Sequence, residues 1–416
     1  MNRVVITGAG VCLPCGDDVS VAWSSVIEAK SWIRKNDLFD TSRLKCRVCA
    51  PVVIGEDISQ KYSDIVPYKD KRRMDEAEYL AVIASYNALV DSCLLDREFD
   101  KENFGTFISS GVGGIKTMQA GIKSLFAGGK VSPFFLPASL TNMVAGNVAL
   151  KFGLKGISLA HVSACATSTH SIGEAFNYIR SGRLKGCLAG GTESAICEIG
   201  VSAFDSMGAL SSNFNDNPSE ASRALDQDRD GFVMGDGSVV LVLEELEHAK
   251  QRGAKIYCEI AGYGASCDAY HITAPNPTGE GASRSMQNAI IDANISSNDV
   301  DYINLHGTST PLGDVAEITA IKNTFMDNYK KVAISSTKSI TGHLLGATGA
   351  LEAMFCVKAI ENQEVPMSAN IKNLDKACEG MNIVLKKTKM DINYAMSNSF
   401  GFGGTNGTLM FKKYVD

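Results

Sequence analysis

Cys165 lies in HVSACATSTHSIGEAF (161–176), between a run that reads as a strand and one that reads as a helix. Ile172, Ala175, Phe176 and Ile179 recur on one apolar helix face and Ser181-Gly182 supplies the stop, so Cys165 falls at the helix N-terminal end. Unpaired N–H groups and the helix dipole favour a thiolate there and would bring its pKa below about 8.5. The same N–H groups can cradle an oxyanion. A buried structural thiol would also fit, since the flanking Ala164, Ala166, Thr167 and Ser168 are small. His306 closes an apolar strand in INLHGTSTPLGD, ahead of Asp314 and Glu317 at the start of a helix. His343 sits in TKSITGHLLGATG, a Gly- and Thr-rich elbow that also carries Lys338. His170 points to a helix face away from Cys165 and reads as structural; His161, His248 and His271 are assigned no role. There is no H-x-x-x-H metal pattern, and no acidic residue stands at a hydrolase's spacing from the pair. One thiol and two imidazoles suit thioester chemistry: the sulfur takes an acyl group, and the imidazoles bind the carbonyl oxygen of a second thioester as charge builds on it.

Residues that must meet in this way need a layered scaffold, and strand-like runs alternate with helical periodicity throughout, as in an α/β protein. Strands are expected at 4–8, 106–111, 157–164, 186–191 and 238–245, then at 255–264, 300–307, 331–339 and 394–404, with a helix over 74–93. ISLAHVSACATSTHSIGEAFNYI and VAISSTKSITGHLLGATGALEAM each run strand, polar elbow, small-residue helix. Each half would thus deliver a reactive loop at the C-terminal end of a strand, where open α/β sheets place their sites. The turn at Gln251-Arg252-Gly253 is the best candidate boundary.

With 416 residues and 45% hydrophobic content the chain can bury a large core. A net charge of −6 argues against a general nucleic-acid binder, and no apolar run is long enough to span a bilayer. MNRVVITGAGVCLPCGDD reads as a first strand and turn, without the cleavage site of a signal peptide. The 12 cysteines are scattered through apolar runs, which suggests reduced thiols and a cytoplasmic setting. Cys12/Cys15 and Cys46/Cys49 have C-x-x-C spacing but lack the separation and the histidine of a zinc site, so no metal is expected. TGAGVCLPCG and SSGVGG miss the dinucleotide fingerprint and read as tight turns.

Six longer motifs occur in order: SPFFLPASLTNMVAG (132–146), SACATSTHSIG (163–173), LDQDRDGFVMGDG (225–237), HGTSTPLGD (306–314), SSTKSITGHLLGATGALE (335–352) and SNSFGFGGTNG (397–407). On these the chain resembles, along nearly its whole length, the elongating β-ketoacyl-acyl carrier protein synthases (the KAS I/KAS II group). The resemblance implies an α/β thiolase-like fold, a duplicated five-layer αβαβα unit. Residues 1–252 would form the half with the nucleophile and 253–416 the half with the histidines. It also implies Cys165 as acyl acceptor, His306 and His343 as the pair serving malonyl decarboxylation and condensation, Lys338 as active-site lysine and Glu352 as its ion-pair partner. The backbone N–H groups of Cys165 and Phe402 would form the oxyanion hole. Phe402 would gate the site, Thr308 and Thr310 would contact the pantetheine arm, and Val112 would limit acyl-pocket depth. No cofactor is implied beyond the phosphopantetheine on the substrates. The partners would be an acidic acyl carrier protein, met by a basic rim of Lys69, Lys71, Arg72, Arg73 and Lys130, and a second subunit, in a homodimer or a heterodimer. Two departures stand out: Cys-Ala-Thr-Ser follows KAS I while the other motifs follow KAS II, and Gly208 stands where KAS II often has an arginine. They open the alternative of a specialised type II polyketide or polyene ketosynthase. A non-catalytic chain-length subunit need not keep Cys165 and both histidines. A degradative thiolase would place a second cysteine near the C-terminus, whereas Cys378 lies outside the SNSFGFGGTNG loop.

Overall fold

The structure, a computed structural model, describes residues 1–415. Ten strands form one sheet: β1 (Val4–Cys12), β2 (Phe104–Ser109), β3 (Ser158–Leu159), β4 (Gly186–Glu193), β5 (Gly237–Glu245), β6 (Cys258–Cys267), β7 (Tyr302–Asn304), β8 (Ala333–Ser335), β9 (Tyr394–Gly401) and β10 (Thr405–Lys412). From edge to edge the order is β3-β2-β4-β5-β1-β6-β10-β9-β7-β8. Counted outward from the centre, β1-β5-β4-β2-β3 and β6-β10-β9-β7-β8 are one pattern used twice. The two sets meet where β1 pairs antiparallel with β6, Val4 opposite Ile260 and Ile6 opposite Cys258.

Seven helices matter for the site: α1 (Glu76–Asp91), α2 (Ile115–Phe126), α3 (Met143–Phe152), α4 (Thr167–Arg180), α5 (Glu280–Asp292), α6 (Pro311–Phe325) and α7 (Thr348–Asn362). α4 and α7 lie between the two strand sets and touch both; α1 and α3 cover one outer face, α5 and α6 the other. The result is the five-layer αβαβα arrangement. A middle layer must be apolar on all sides, and α7 buries every residue from Thr348 to Val357. Glycine permits the close outer packing: a Cβ on Gly10 of β1 would lie 2.1 Å from a carbonyl of α1, and one on Gly264 of β6 2.0 Å from a carbonyl of α5. Val239 to Leu243 of β5 are wholly buried, as a strand covered on both faces requires.

The expected strands occur with shifted ends, and the helix over 74–93 is α1. The strand expected over 157–164 keeps only Ser158–Leu159, because it has a single neighbour and the chain then leaves the sheet for the elbow that holds Cys165. The run 331–339 stops at Ser335, and residues 338–341 turn helical. β10 lies beyond the strand expected over 394–404; it pairs with β6 and β9 along its length and buries Leu409, Met410 and Phe411. Among the described residues no helix is long and apolar enough to cross a membrane.

Candidate active site

Cys165 occupies a short 3-10 turn, Ala164–Ala166, immediately before α4. Ala164 has φ +50°, a left-handed conformation rare for alanine, and it turns the chain sharply so that the sulfur projects from the helix end. The second half repeats the device. Leu345 has φ +47° and opens the 3-10 turn Leu345–Ala347, ahead of α7. ACAT at 164–167 and LGAT at 345–348 are therefore equivalent elbows, and the internal likeness seen in the sequence is structural. The first elbow carries the thiol, while the chain entering the second carries His343.

The two elbows bring Cys165 Sγ to 3.0 Å from His343 Nε2. His306, two residues past the end of β7, joins them: ligating atoms of Cys165, His306 and His343 all lie within 4.8 Å of one another. The imidazoles meet edge to face with ring centres 5.5 Å apart. His343 Nδ1 is 2.8 Å from Thr348 Oγ1. Phe232 and Phe400 wall the two rings at 5.3 and 5.8 Å. His306 is fixed from behind by Glu317, which accepts the N–H groups of His306 and Gly307 at 2.9 and 2.7 Å. All three side chains line a cavity of about 120 Å³, together with Thr308, Thr310, Phe402, Phe204 and the 273–276 loop.

Charge is arranged around this group. Lys338 and Glu352 form a wholly buried ion pair. Burial pushes the Glu352 carboxyl up, and the charge of Lys338 beside it pulls it back towards the ionised form. Burial, then the charge of Lys338, holds His306 and His343 well below 6.5, so both rings are neutral near pH 7. Burial also pushes the Cys165 thiol up to about 12, against the pull of Lys338 and of the backbone N–H groups of Cys165 and Phe402. The sequence expectation of a lowered thiol pKa is thus reversed. The helix end contributes, but desolvation outweighs it. The resting pair is a thiol hydrogen-bonded to a neutral imidazole. By spacing alone the three donor atoms could ligate a metal ion, but Lys338 already disfavours positive charge there.

Thr308 and Thr310 line the cavity with their hydroxyls 2.9 Å apart. Phe402 closes one side and faces Phe204 at 6.4 Å. Gly403 and Gly404 follow it at φ +83° and +71°, conformations that favour glycine. Val112 is not brought to the cavity. It is 36% exposed on the 110–113 loop, where its N–H faces Glu193. Lys69, Arg72, Arg73 and Lys130 are exposed and line no part of the cavity; Lys71 is half-buried. Among the described residues these five make no ion pair, and Arg73 instead lies over the Phe134 ring at 5.1 Å. Gly208 has φ +64° next to the mouth residue Ala209, a backbone that an arginine would strain. The paired C-x-x-C thiols are free, and among the described residues the Cys165–His306–His343 group is the one cluster with metal-ligand spacing. Sequence reasoning passed over Thr348, Phe232, Glu317 as a brace, and Glu193. The last is a buried carboxylate that accepts N–H groups of Gly111 and Gly346, at 2.9 Å each, and so joins the two halves. Thr348 lies five residues past His343 and Glu317 eleven past His306, within reach of motifs already noted, whereas Phe232 and Glu193 meet partners far away in sequence.

Comparison with known proteins settles the family. The profile described as "Beta-ketoacyl synthase, N-terminal domain" matches residues 1–249, and "Beta-ketoacyl synthase, C-terminal domain" matches 257–372. The chain belongs to the β-ketoacyl synthase family. It is 44% identical over 416 residues to a 3-oxoacyl-(acyl-carrier-protein) synthase 2 of Staphylococcus aureus (strain COL), covering 99% of each chain. It is 45% identical over 421 residues to one of Vibrio harveyi, covering 100% of this chain and 99% of the relative. Among solved structures, a β-ketoacyl synthase from Burkholderia phymatum STM815 superposes with a TM-score of 0.91 at 35% identity, each chain covered in full. The ishigamide ketosynthase/chain length factor superposes at 0.91 and 29% identity, again with full coverage of both chains. The thiolase-like ketosynthase fold and acyltransferase chemistry follow for this β-ketoacyl synthase.

Proposed function

We propose that this β-ketoacyl synthase elongates acyl chains held on an acyl carrier protein, by decarboxylative Claisen condensation with a malonyl carrier in fatty acid synthesis. The observation that carries the reading is the contact between Cys165 Sγ and His343 Nε2 in a cavity that also holds His306. In the first step the Cys165 sulfur attacks the acyl thioester, the thiol proton passes to His343, and the carrier leaves as its thiol. In the second, the malonyl thioester loses CO2 and the bond pair becomes an enolate, whose oxygen the neutral His306 and His343 rings stabilise as N–H donors. The enolate carbon then attacks the acyl-Cys165 carbonyl; a C–C bond forms, the C–S bond breaks with its electron pair on sulfur, and the resulting thiolate takes a proton from solvent. The backbone N–H groups of Cys165 and Phe402 hold the tetrahedral oxyanion. His343 must accept a proton in one step and donate in the other. The Thr348 hydroxyl at Nδ1 can serve either tautomer, because a hydroxyl both gives and takes a hydrogen bond. Burial first, and then the charge of Lys338, keeps both rings neutral. No metal or further cofactor enters these steps.

Thr308 and Thr310 would hold the phosphopantetheine arm and Phe402 would gate entry. Lys69, Arg72, Arg73 and Lys130 would meet the acidic carrier. We divide the chain at 252/253, after α-helical residues Leu246–Gln251 and in the turn at Gly253. Assembly as a homodimer in the cytoplasm completes the reading. The edge strand β3 and the exposed Phe126, Leu136, Leu140, Leu150, Leu159 and Val162 support a second subunit. Val112, outside the cavity of the single chain, would then bound an acyl pocket that the second subunit closes.

Gly208 favours a second reading, a ketosynthase of a specialised type II polyketide or polyene pathway paired with a different chain. A solved complex that is 29% identical to this chain at a TM-score of 0.89, with 99% of this chain and 100% of that chain covered, is a type II PKS acyl-carrier protein bound to its ketosynthase. Intact-mass spectrometry after adding acyl-carrier and then malonyl-carrier decides between the two. With no reductase present, an acyl adduct on Cys165 and a single two-carbon extension support elongation. Repeated extension without reduction supports the second reading, and no adduct rejects both.

A further inference from the structure

His170 lies outside the reaction cavity, in an open groove on the far side of the elbow, and the proposed chemistry does not use it. Its surroundings give it one. Nε2 faces the backbone carbonyl of Asn406 at 3.2 Å. A carbonyl can only accept, so Nε2 carries the hydrogen, and in the neutral ring Nδ1 is left as an acceptor. Burial holds His170 below its ordinary pKa, in keeping with the neutral ring. Ser163 Oγ, 2.6 Å away, therefore donates to Nδ1. Two further bonds grip the same residue: Thr405 Oγ1 donates to the Ser163 carbonyl at 3.1 Å, and the Ser163 N–H donates to Thr167 Oγ1 at 2.9 Å. A Cβ on Gly401 would lie 2.5 Å from that carbonyl, so the strand end packs directly on the elbow.

Ser163 precedes Cys165 by two residues, and Thr405 and Asn406 follow Phe402 by three and four. The chain Ser163–His170–Asn406, with Thr405 beside it, thus spans the two segments that supply the converging N–H groups, one from each half of the molecule. We propose that His170 is a positioning residue: it fixes the separation of the Cys165 and Phe402 N–H groups and so sets the oxyanion hole. The inference rests on the condensing reading, since a hole is needed only where a carbonyl is attacked.

The test compares two reactions of one sulfur. Acylation by octanoyl-acyl carrier protein builds charge on a carbonyl oxygen, whereas alkylation by iodoacetamide displaces iodide and needs no hole. In His170→Ala the acylation kcat falls roughly 10- to 100-fold with little change in KM, the range expected when one oxyanion donor is misplaced. Alkylation proceeds at the wild-type rate. His170→Gln, which keeps an N–H donor for Asn406, regains part of the loss. Should His170→Ala not fold, the isosteric Thr405→Val carries the comparison and gives the same split between the reactions. Equal losses in both reactions mean a merely structural residue, and an unchanged acylation rate means no role; either overturns the proposal. An acyl adduct absent from the wild type itself overturns the condensing reading and this inference together, and wild-type acylation is read in the same series.

Discussion

Two neutral imidazoles beside an un-ionised thiol divide the chemistry, because only His343 touches the sulfur. Cys165→Ala abolishes acyl loading while malonyl decarboxylation persists, since both rings remain. His306→Ala stops decarboxylation while loading survives. Adduct mass and CO2 release measure the two, and loading retained by the cysteine variant would remove Cys165 as acceptor. The electrostatics give a pH signature. With the thiol pushed up to about 12, iodoacetamide alkylation keeps accelerating from pH 7 to alkaline pH, and a plateau near neutrality would contradict it. Both histidines are held below 6.5, so the unfolded chain binds protons that the folded one refuses. Stability is therefore independent of these rings above 6.5 and falls as pH drops from there towards the folded pKa values. Chemical denaturation measured across that window checks the sign.

At the scale of elements, Lys338 stands on the helical turn 338–341 and Glu352 on α7, so their pairing ties the turn to the middle layer. Removing one partner of a buried pair strands the other charge, at a cost of about 3–5 kcal/mol. Lys338→Met should fold less stably by that order and, by relieving both rings of a neighbouring cation, move the acidic limb of activity upwards. Denaturant titration and a pH–rate profile read the two effects; an unmoved limb would deny Lys338 its electrostatic part. What was legible in the sequence follows from locality. The apolar face of α4, the strand-end position of His306 and the Gly-rich entry to His343 are set by neighbours in the chain, and the spacing reveals them. The balance at Cys165 depends on burial by residues far away in sequence, so a helix end alone gave the wrong sign. β10 lies beyond the strand expected over 394–404, and its pairing with β6 and β9 holds it. His170 was dismissed because its helix face turns from Cys165, which is correct, yet its partners Ser163 and Asn406 lie out of view of any periodicity.

For the whole molecule, the edge of β3 is unpaired on one side, Leu150 of the neighbouring α3 is 78% exposed, and Phe126 at the end of α2 is 90% exposed; these are the surfaces a second copy would cover. Sedimentation should give a particle of twice the chain mass of 44.4 kDa. Leu150→Asp together with Leu159→Lys should shift it towards the single chain and widen or abolish acyl-length selection, because the Val112 side would then stand open. A single-chain mass for the wild type would refute that picture.

The antiparallel seam of β1 against β6 has a consequence for motion. Enzymes assembled from two lobes often open like a jaw to admit a substrate, but here backbone ladders stitch the lobes through the centre of the sheet, and α4 and α7 are wedged between them. A jaw movement would have to tear that ladder. Admission of a long, flexible thioester must then rely on small rearrangements at the rim, and the gate proposed at Phe402 would draw on the backbone freedom of Gly403 and Gly404, both at positive φ.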